Sequence, residues 1–137
     1  MGLILDSSVL VAAERRGQNA RQALEAILKQ TGDVPVAISV VTLMELAHGV
    51  ARANTPERQG TRQRFVDDLA AAVPLHGVTA AIAWRAGILD GQTQARGVRI
   101  PLADLLIGTT ALDIGYAVGT SNPRHFELVP ELSVVRI

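Results

Sequence analysis

The segment Leu3-Ile4-Leu5-Asp6-Ser7-Ser8-Val9-Leu10 gives the clearest indication of the fold class, because a wholly apolar run stops at an acid and is followed by a helical pattern. A short apolar run that ends so sharply is typical of a central parallel strand, which is buried on both faces. Ser7 and Ser8 are residues that favour a helix N-terminus, and the apolar segment 9–13 continues as a helix. The stretch therefore predicts a strand followed at once by a helix, with Asp6 at the carboxyl end of the strand.

The same alternation of short apolar runs and helical patterns continues to the end of the chain. Further strands are predicted at Val36–Ile38, Val73–Leu75, Tyr116–Val118 and Val134–Val135. Helices are predicted at Ala20–Lys29, Val40–Ala51, Pro56–Ala72, Thr79–Ala95 and Leu102–Ile114. Strands that alternate with helices form parallel sheets covered on both faces. We therefore predict one α/β domain that spans residues 1–137.

The composition limits the class of protein. Of the 137 residues, 48% are hydrophobic and 19% are charged, which is too apolar for a disordered chain. Lys+Arg and Asp+Glu number 13 each, so the net charge is zero, and any polyanion must be bound through a local patch or a bound cation. The absence of cysteine excludes disulfides, thiolate zinc sites and cysteine nucleophiles. No apolar stretch approaches the length of a membrane span, and no basic start resembles a signal peptide, so we expect a cytoplasmic protein.

Three carboxylates lie in apolar segments, where burial of a charged side chain costs free energy. Asp6 follows the apolar run 3–5, Glu45 lies within the apolar segment 41–47, and Asp104 lies within 102–107. Burial of one unpaired carboxylate costs several kcal/mol, so each acid needs a partner or a function. Structural explanations stay open for each. Asp6 can cap a helix, Asp104 can face the positive end of a helix dipole, and Glu45 can form a buried salt bridge with an arginine.

The predicted topology brings these acids together. Asp6 ends the first strand, whereas Glu45 and Asp104 lie in early turns of helices. Asn122 follows the fourth predicted strand and points to the same edge of the sheet, where open parallel sheets bind ligands. Converging carboxylates repel one another unless a cation lies among them, and oxygen ligands without Cys or His favour Mg²⁺ or Mn²⁺. The pattern indicates metal-assisted hydrolysis of a phosphodiester.

The remaining polar residues give weaker signals. His48, His76 and His125 are too far apart in the sequence to suggest a metal motif, so we expect surface or capping roles for them. Ser7 and Ser8 lack the G-x-S-x-G motif and an evident histidine partner that a serine nucleophile would need.

Four stretches around the acids resemble the PIN-domain family, and within it the VapC-type ribonuclease toxins of toxin–antitoxin systems. These stretches are 3–10, 39–49, 100–107 and 119–126, and together the resemblance covers almost the whole chain. It implies a three-layer α/β/α sandwich with a central, mostly parallel sheet. It also implies a Mg²⁺-dependent endoribonuclease that acts on RNA, forms homodimers and is bound by a small antitoxin protein in its active-site groove.

The resemblance also implies roles for individual residues. Asp6, Glu45 and Asp104 match the acidic metal-site positions of the family, with Mg²⁺ held by Asp6 and Asp104 and with Mn²⁺ able to substitute. Glu45 would complete the acidic pocket and help to position or deprotonate the attacking water. Asn122 matches a fourth catalytic position that is often Asp in PIN domains, and its neutral amide argues against a fully occupied second metal site.

Two further expectations concern the surroundings of the acids. Ser8 and Thr120 are expected to hydrogen-bond the carboxylates. Replacement of Asp104 by Asn is expected to raise thermal stability without Mg²⁺ and to remove cleavage.

Two alternative functions belong to other classes. The first is a different Mg²⁺-dependent phosphoesterase such as a small phosphatase, although aspartyl-phosphate enzymes have a second Asp where this chain has Ser8. The second is a non-catalytic PIN-like binding module. The intact acids argue against this module, because an unused buried acid cluster would only destabilise the fold.

Overall fold

The computed structural model of the protein describes residues 1–137, and a five-stranded sheet of order β3-β2-β1-β4-β5 lies at its centre. The strands are β1 (Leu3–Leu5), β2 (Val36–Ser39), β3 (Leu75–His76), β4 (Ala117–Thr120) and β5 (Val134–Arg136). Every neighbouring pair is parallel, so all five carboxyl ends lie along one edge. β1 occupies the middle of the sheet, as its wholly apolar sequence predicts.

Helices cover both faces of this sheet. They are α1 (Ser7–Arg15), α2 (Ala20–Thr31), α3 (Val40–Ala51), α4 (Pro56–Ala72), α5 (Ala80–Ala95), α6 (Leu102–Ile114) and a 3₁₀ helix at Phe126–Leu128. Leu3 and Leu5 of β1 share a core with α1, α2 and α4 on one face, whereas Ile4 packs with Ile107 of α6 on the other. The three-layer α/β/α sandwich is confirmed. None of the helices combines the length and the apolar character that a membrane span requires.

The element boundaries follow the local capping chemistry. Ser39, Thr55 and Thr79 each accept a hydrogen bond from a backbone N–H in the first turn of α3, α4 and α5, respectively. The predicted third strand is shifted, because the strand lies at Leu75–His76 and Val73 is buried in the core instead.

The start of α1 differs from the prediction. The helix begins at Ser7 and its N-cap residue is Asp6, whose side chain makes no capping hydrogen bond. Ser7 and Ser8 therefore lie inside the first turn, and their hydroxyls are directed to carboxylates rather than to the helix end.

The pairing of β1 with β4 positions the acids. Leu5 is in register with Gly119, and the Asp6 N–H donates to the Gly119 carbonyl at 2.9 Å. Thr120 is thereby held beside Asp6. A Cβ at Gly119 would lie 2.8 Å from Ile137 Cδ1 and 3.2 Å from Leu5 Cδ2, so a larger residue there would require the ends of these side chains to move.

Candidate active site

A polar cleft of about 690 Å³ lies at the carboxyl edge of the sheet. Its lining includes all four residues that the sequence analysis singled out, namely Asp6, Glu45, Asp104 and Asn122. The predicted convergence of these residues is therefore observed. The lining also includes residues that were not predicted for a site, namely Ser7, Ser121, Pro123, Arg124, His125, Phe126, Glu127 and Arg136.

Asp6 is only 6% exposed and is held by hydroxyls. Its Oδ2 accepts hydrogen bonds from Ser8 Oγ at 2.7 Å and from Thr120 Oγ1 at 3.0 Å, as expected for both residues. Each hydroxyl in turn accepts a backbone N–H, Ser8 from Ser121 at 3.1 Å and Thr120 from Asn122 at 3.0 Å. Because the capping bond of Asp6 is absent, the helix-cap explanation is wrong for this side chain.

Glu45 projects from the second turn of α3 without a cationic partner. Ser7 Oγ donates to its Oε1 at 3.2 Å, and no arginine forms an ion pair with it, so the explanation as a buried salt bridge is wrong. Burial raises the pKa of Glu45 above its ordinary value, and the charges of Asp6 and Asp104 raise it further, against the lowering effect of the Ser7 hydrogen bond. Glu45 is therefore easier to protonate than an ordinary glutamate.

Asp104 lies in the first turn of α6, where the helix dipole favours an acid. Its Oδ2 lies 3.0 Å from Nδ1 of His125, and a proton on Nδ1 makes the histidine the donor, because a carboxylate only accepts. Burial raises the pKa of Asp104, followed by the charge of Asp6, while His125 acts in the opposite direction. The sequence analysis expected a surface or capping role for His125, but its ring instead contacts the carboxylate of Asp104. Its signal in the sequence was its position three residues after Asn122, in the loop that returns to the acidic edge.

Asn122 lies at the rim of the cleft. Its side chain is exposed and makes no hydrogen bond with the protein, whereas its backbone N–H fixes Thr120. The amide is thus free to contact a ligand and adds no negative charge to the three carboxylates.

The donor set fits a hydrated hard cation. No group of three or more His, Asp or Glu side chains is placed to hold a metal ion together. Mg²⁺ in proteins, however, is usually bound through one or two carboxylates and keeps several waters. Both hydroxyls at Asp6 donate to Oδ2, so Oδ1 accepts no hydrogen bond from the protein. The raised pKa values of Glu45 and Asp104 reflect partly buried negative charge that a divalent cation would offset. Asp6 and Asp104 would hold the ion directly or through water.

The comparison with protein families agrees with the fold and the acidic cleft. The family model described as the PIN domain matches residues 3–132. The chain therefore belongs to the PIN-domain family.

Individual relatives define the branch of that family. The chain is 30% identical over 139 residues to a ribonuclease VapC of Rickettsia bellii, with 100% of this chain and 97% of the relative covered. It is 35% identical over 130 residues to ribonuclease VapC10 of Mycobacterium tuberculosis, with 95% and 90% covered. These relatives assign the chain to the VapC group of the family.

Solved structures show the same fold. A crystal structure of VapBC2 from Rickettsia felis, bound to a DNA fragment from its promoter, aligns with a TM-score of 0.80 and 22% identity over 100% of this chain and 99% of that one. VapBC-5 of Mycobacterium tuberculosis, from the VapBC family of toxin–antitoxin systems, aligns with a TM-score of 0.73 and 27% identity, with 99% and 97% covered.

Proposed function

We propose that the protein is a Mg²⁺-dependent endoribonuclease that hydrolyses RNA phosphodiester bonds, and that it is the toxin of a toxin–antitoxin pair. The observation that carries the proposal is the cleft in which Asp6, Glu45 and Asp104 meet without an arginine partner. The ribonuclease names of the two relatives support RNA as the substrate.

The carboxylates have different tasks in this proposal. Asp6 and Asp104 would hold Mg²⁺, or Mn²⁺ in its place. When bound there, the ion would supply Lewis-acid chemistry, namely polarisation of a phosphoryl oxygen and stabilisation of negative charge on the leaving oxygen. Ser8 and Thr120 keep Asp6 in one orientation, and His125 does the same for Asp104.

Glu45 is the candidate for proton transfer. A general base works best when its pKa is close to the working pH, and the raised pKa of Glu45 moves it in that direction. The Ser7 hydroxyl donates to Oε1, so Oε2 is available to accept a proton from the attacking water. Asn122 would donate from its amide to a phosphate oxygen at the rim of the cleft.

We extend the proposal to partners and organisation. Residues 1–137 act as one domain, in line with the pairing of β1 near the start with β4 near the end. A small antitoxin protein occupies the cleft and inhibits cleavage in this proposal. The VapBC-5 structure, which is described as a member of a family of toxin–antitoxin systems, supports an antitoxin as the partner. The working form is a homodimer, and its target is cellular RNA in the cytoplasm.

The proposal is tested by mapping new 5′ ends in total cellular RNA after incubation with antitoxin-free protein. Parallel reactions contain Mg²⁺, EDTA, or Mg²⁺ with the Asp104→Asn variant. New ends at a few sites, for the wild type with Mg²⁺ only, are expected. Absence of cleavage by folded, metal-binding protein would point to another phosphate ester, and absence of metal binding would contradict the metal site itself.

A further inference from the structure

Two arginines line the acidic cleft and have no partner in the protein. Arg124 and Arg136 are both exposed, and neither makes a side-chain hydrogen bond or an ion pair. Glu127 also lines the cleft, yet it pairs with neither of them. Two guanidinium groups are therefore available to a ligand in the same cleft as the catalytic acids.

Arg136 is the last residue of β5 and so belongs to the sheet itself. It is in register with Thr120 across the β4–β5 pair, and the Ile137 N–H donates to the Thr120 carbonyl at 3.0 Å. Thr120 in turn donates its hydroxyl to Asp6. Adjacent strands lie about 4.8 Å apart, so the backbone of Arg136 is one strand removed from a residue that contacts the acid site.

Arg124 lies in the loop that follows β4. It lies between Asn122, whose backbone N–H fixes Thr120, and His125, whose ring contacts Asp104. Both ends of this short segment are therefore tied to the residues that surround the carboxylates. The two arginines reach the cleft from separate elements, β5 and the loop after β4.

The charge balance of the cleft means that an anionic ligand needs these two arginines. Four carboxylates line it, namely Asp6, Glu45, Asp104 and Glu127. The chain as a whole has no net charge, so it provides no general attraction for RNA. A polyanion that reaches the acids must therefore be held by a bound cation and by local positive groups.

We propose that Arg124 and Arg136 form a phosphate-binding subsite that holds the RNA backbone beside the scissile phosphodiester. This inference rests on the proposed ribonuclease function and adds substrate-positioning residues to it. The guanidinium group presents a planar set of donors that matches phosphate oxygens in a bidentate manner. The subsite sets the affinity for RNA, whereas the carboxylates carry the chemistry.

The test measures binding and cleavage separately. Arg124→Gln, Arg136→Gln and the double variant are made in a Glu45→Gln background, and binding of a short single-stranded RNA of mixed sequence is followed by fluorescence anisotropy in Mg²⁺ at several salt concentrations. Arg64→Gln is the matched control, because Arg64 is an exposed arginine of α4 that lies outside this cleft. The same arginine variants with Glu45 intact are assayed for kcat and KM on an RNA that the wild type cleaves.

Each cleft variant is expected to raise Kd and KM by about three- to tenfold and to leave kcat within about twofold of the wild type. The slope of log K against log salt should fall by about 0.7 for each arginine removed, because a single strand releases roughly that many counterions per phosphate contact. Arg136→Lys should keep the salt slope and lose part of the affinity, since lysine keeps the charge but not the bidentate geometry. Arg64→Gln should match the wild type.

Other results overturn the inference. If the cleft variants cleave with unchanged KM and an unchanged salt slope, the subsite does not exist although the ribonuclease function stands. If kcat falls at constant KM, the arginines act on the chemistry. If the wild type itself neither binds nor cleaves RNA, the proposed function fails and the subsite fails with it.

Discussion

At the level of single residues, two hydroxyl groups set the orientation of the Asp6 carboxylate, because both donate to the same one of its two oxygens. Ser8 and Thr120 each have one hydroxyl proton, and both protons are directed to Oδ2. The contact of 3.2 Å between the two hydroxyls is therefore only proximity, since no proton remains for it. Ser8 is also unsuited to be a nucleophile, because its proton is held by a carboxylate and no histidine contacts it.

Glu45 provides a prediction about stability and pH. Its folded-state pKa lies above the ordinary value of 4.5, so the folded protein binds this proton more tightly than the unfolded chain does. The contribution of Glu45 to stability is therefore fully present below its ordinary pKa and is lost as the pH rises through the raised pKa, where its partly buried charge becomes a penalty. Glu45→Gln removes this penalty while it keeps an acceptor for Ser7, so Tm in EDTA should rise by about 1–3 °C at neutral pH.

The gain should shrink as the pH falls toward the ordinary glutamate range, and thermal unfolding monitored by circular dichroism at several pH values measures it. Asp113→Asn, at an exposed acid that forms no ion pair, is the matched control and should change Tm little. A lower Tm for Glu45→Gln at neutral pH would contradict the assigned electrostatic penalty. Cleavage by Glu45→Gln should be strongly reduced.

His125 provides a second prediction at this scale. Removal of a hydrogen-bond partner of a metal ligand typically costs about 10- to 100-fold in metal affinity or activity. His125→Ala should therefore raise the Mg²⁺ concentration required for half-maximal cleavage by about that factor. His125→Asn, which retains a donor near the position of Nδ1, should recover part of the loss, and the exposed His48→Ala should have no effect. Equal Mg²⁺ dependence in all three variants would show that His125 does not orient Asp104.

His125 also changes the expectation for Asp104→Asn. That substitution removes a partly buried negative charge, but it also removes the charge that His125 contacts at 3.0 Å. The two effects oppose each other, so Asp104→Asn is a weaker test of charge repulsion than Glu45→Gln. The sequence could not reveal this, because the contact joins α6 to a loop that follows β4, 21 residues away.

At the level of elements, the end of β4 and the start of α1 are joined through Asp6. Thr120 is fully buried, and its hydroxyl links β4 to the carboxylate that follows β1. Thr120→Val has nearly the same shape but leaves Asp6 with one donor fewer in a buried position. The free energy of unfolding should fall by about 1–3 kcal/mol.

Urea denaturation measures this loss, and Thr120→Ser is the control, because it keeps the hydroxyl. If Val and Ser variants are equally stable, the hydrogen bond to Asp6 contributes nothing to the fold. The Val variant should also cleave more slowly, since Asp6 would lose one of the two groups that orient it.

The elements themselves were largely predictable from the sequence. The helices α3, α4 and α6 have the predicted bounds because Ser39, Pro56 and Gly115 mark their ends with residues of specific capping chemistry. β3 was misplaced because its two residues carry no periodic pattern, and only pairing with β2 defines it.

The acidic residues of the site were predictable from the sequence, because each of them lies in an apolar segment. Three acids inside apolar segments could be recognised without the structure, and the parallel topology brought them to one edge. Ser7, His125, Arg124 and Arg136 were not recognised as site residues, because exposed or small polar residues are common in loops and at helix ends. Only the register of β5 and the path of the loop after β4 bring them to the cleft.

At the level of the whole molecule, a neutral chain concentrates negative charge in one cleft. Four carboxylates and two arginines line that cleft, whereas the complete chain is balanced at 13 acidic and 13 basic residues. The folded state therefore carries an electrostatic cost at this edge that the unfolded chain does not. A cation that binds only the folded cleft would offset the cost and stabilise the fold by mass action.

Titration with Mg²⁺ or Mn²⁺ should consequently raise Tm in a saturable manner. A ligand present at 100 times its Kd stabilises the folded state by about 2.7 kcal/mol, which corresponds to a shift of several degrees for a domain of this size. Asp6→Asn and Asp104→Asn should abolish most of the shift, and NaCl of matched ionic strength should not reproduce it, because screening alone places no ion between the carboxylates. Differential scanning calorimetry measures all of these shifts. If Mn²⁺ leaves the Tm of the wild type unchanged, or if the Asn variants respond as the wild type does, the carboxylates do not bind the ion. The acidic cleft would then have to derive its function from protein or RNA contacts alone.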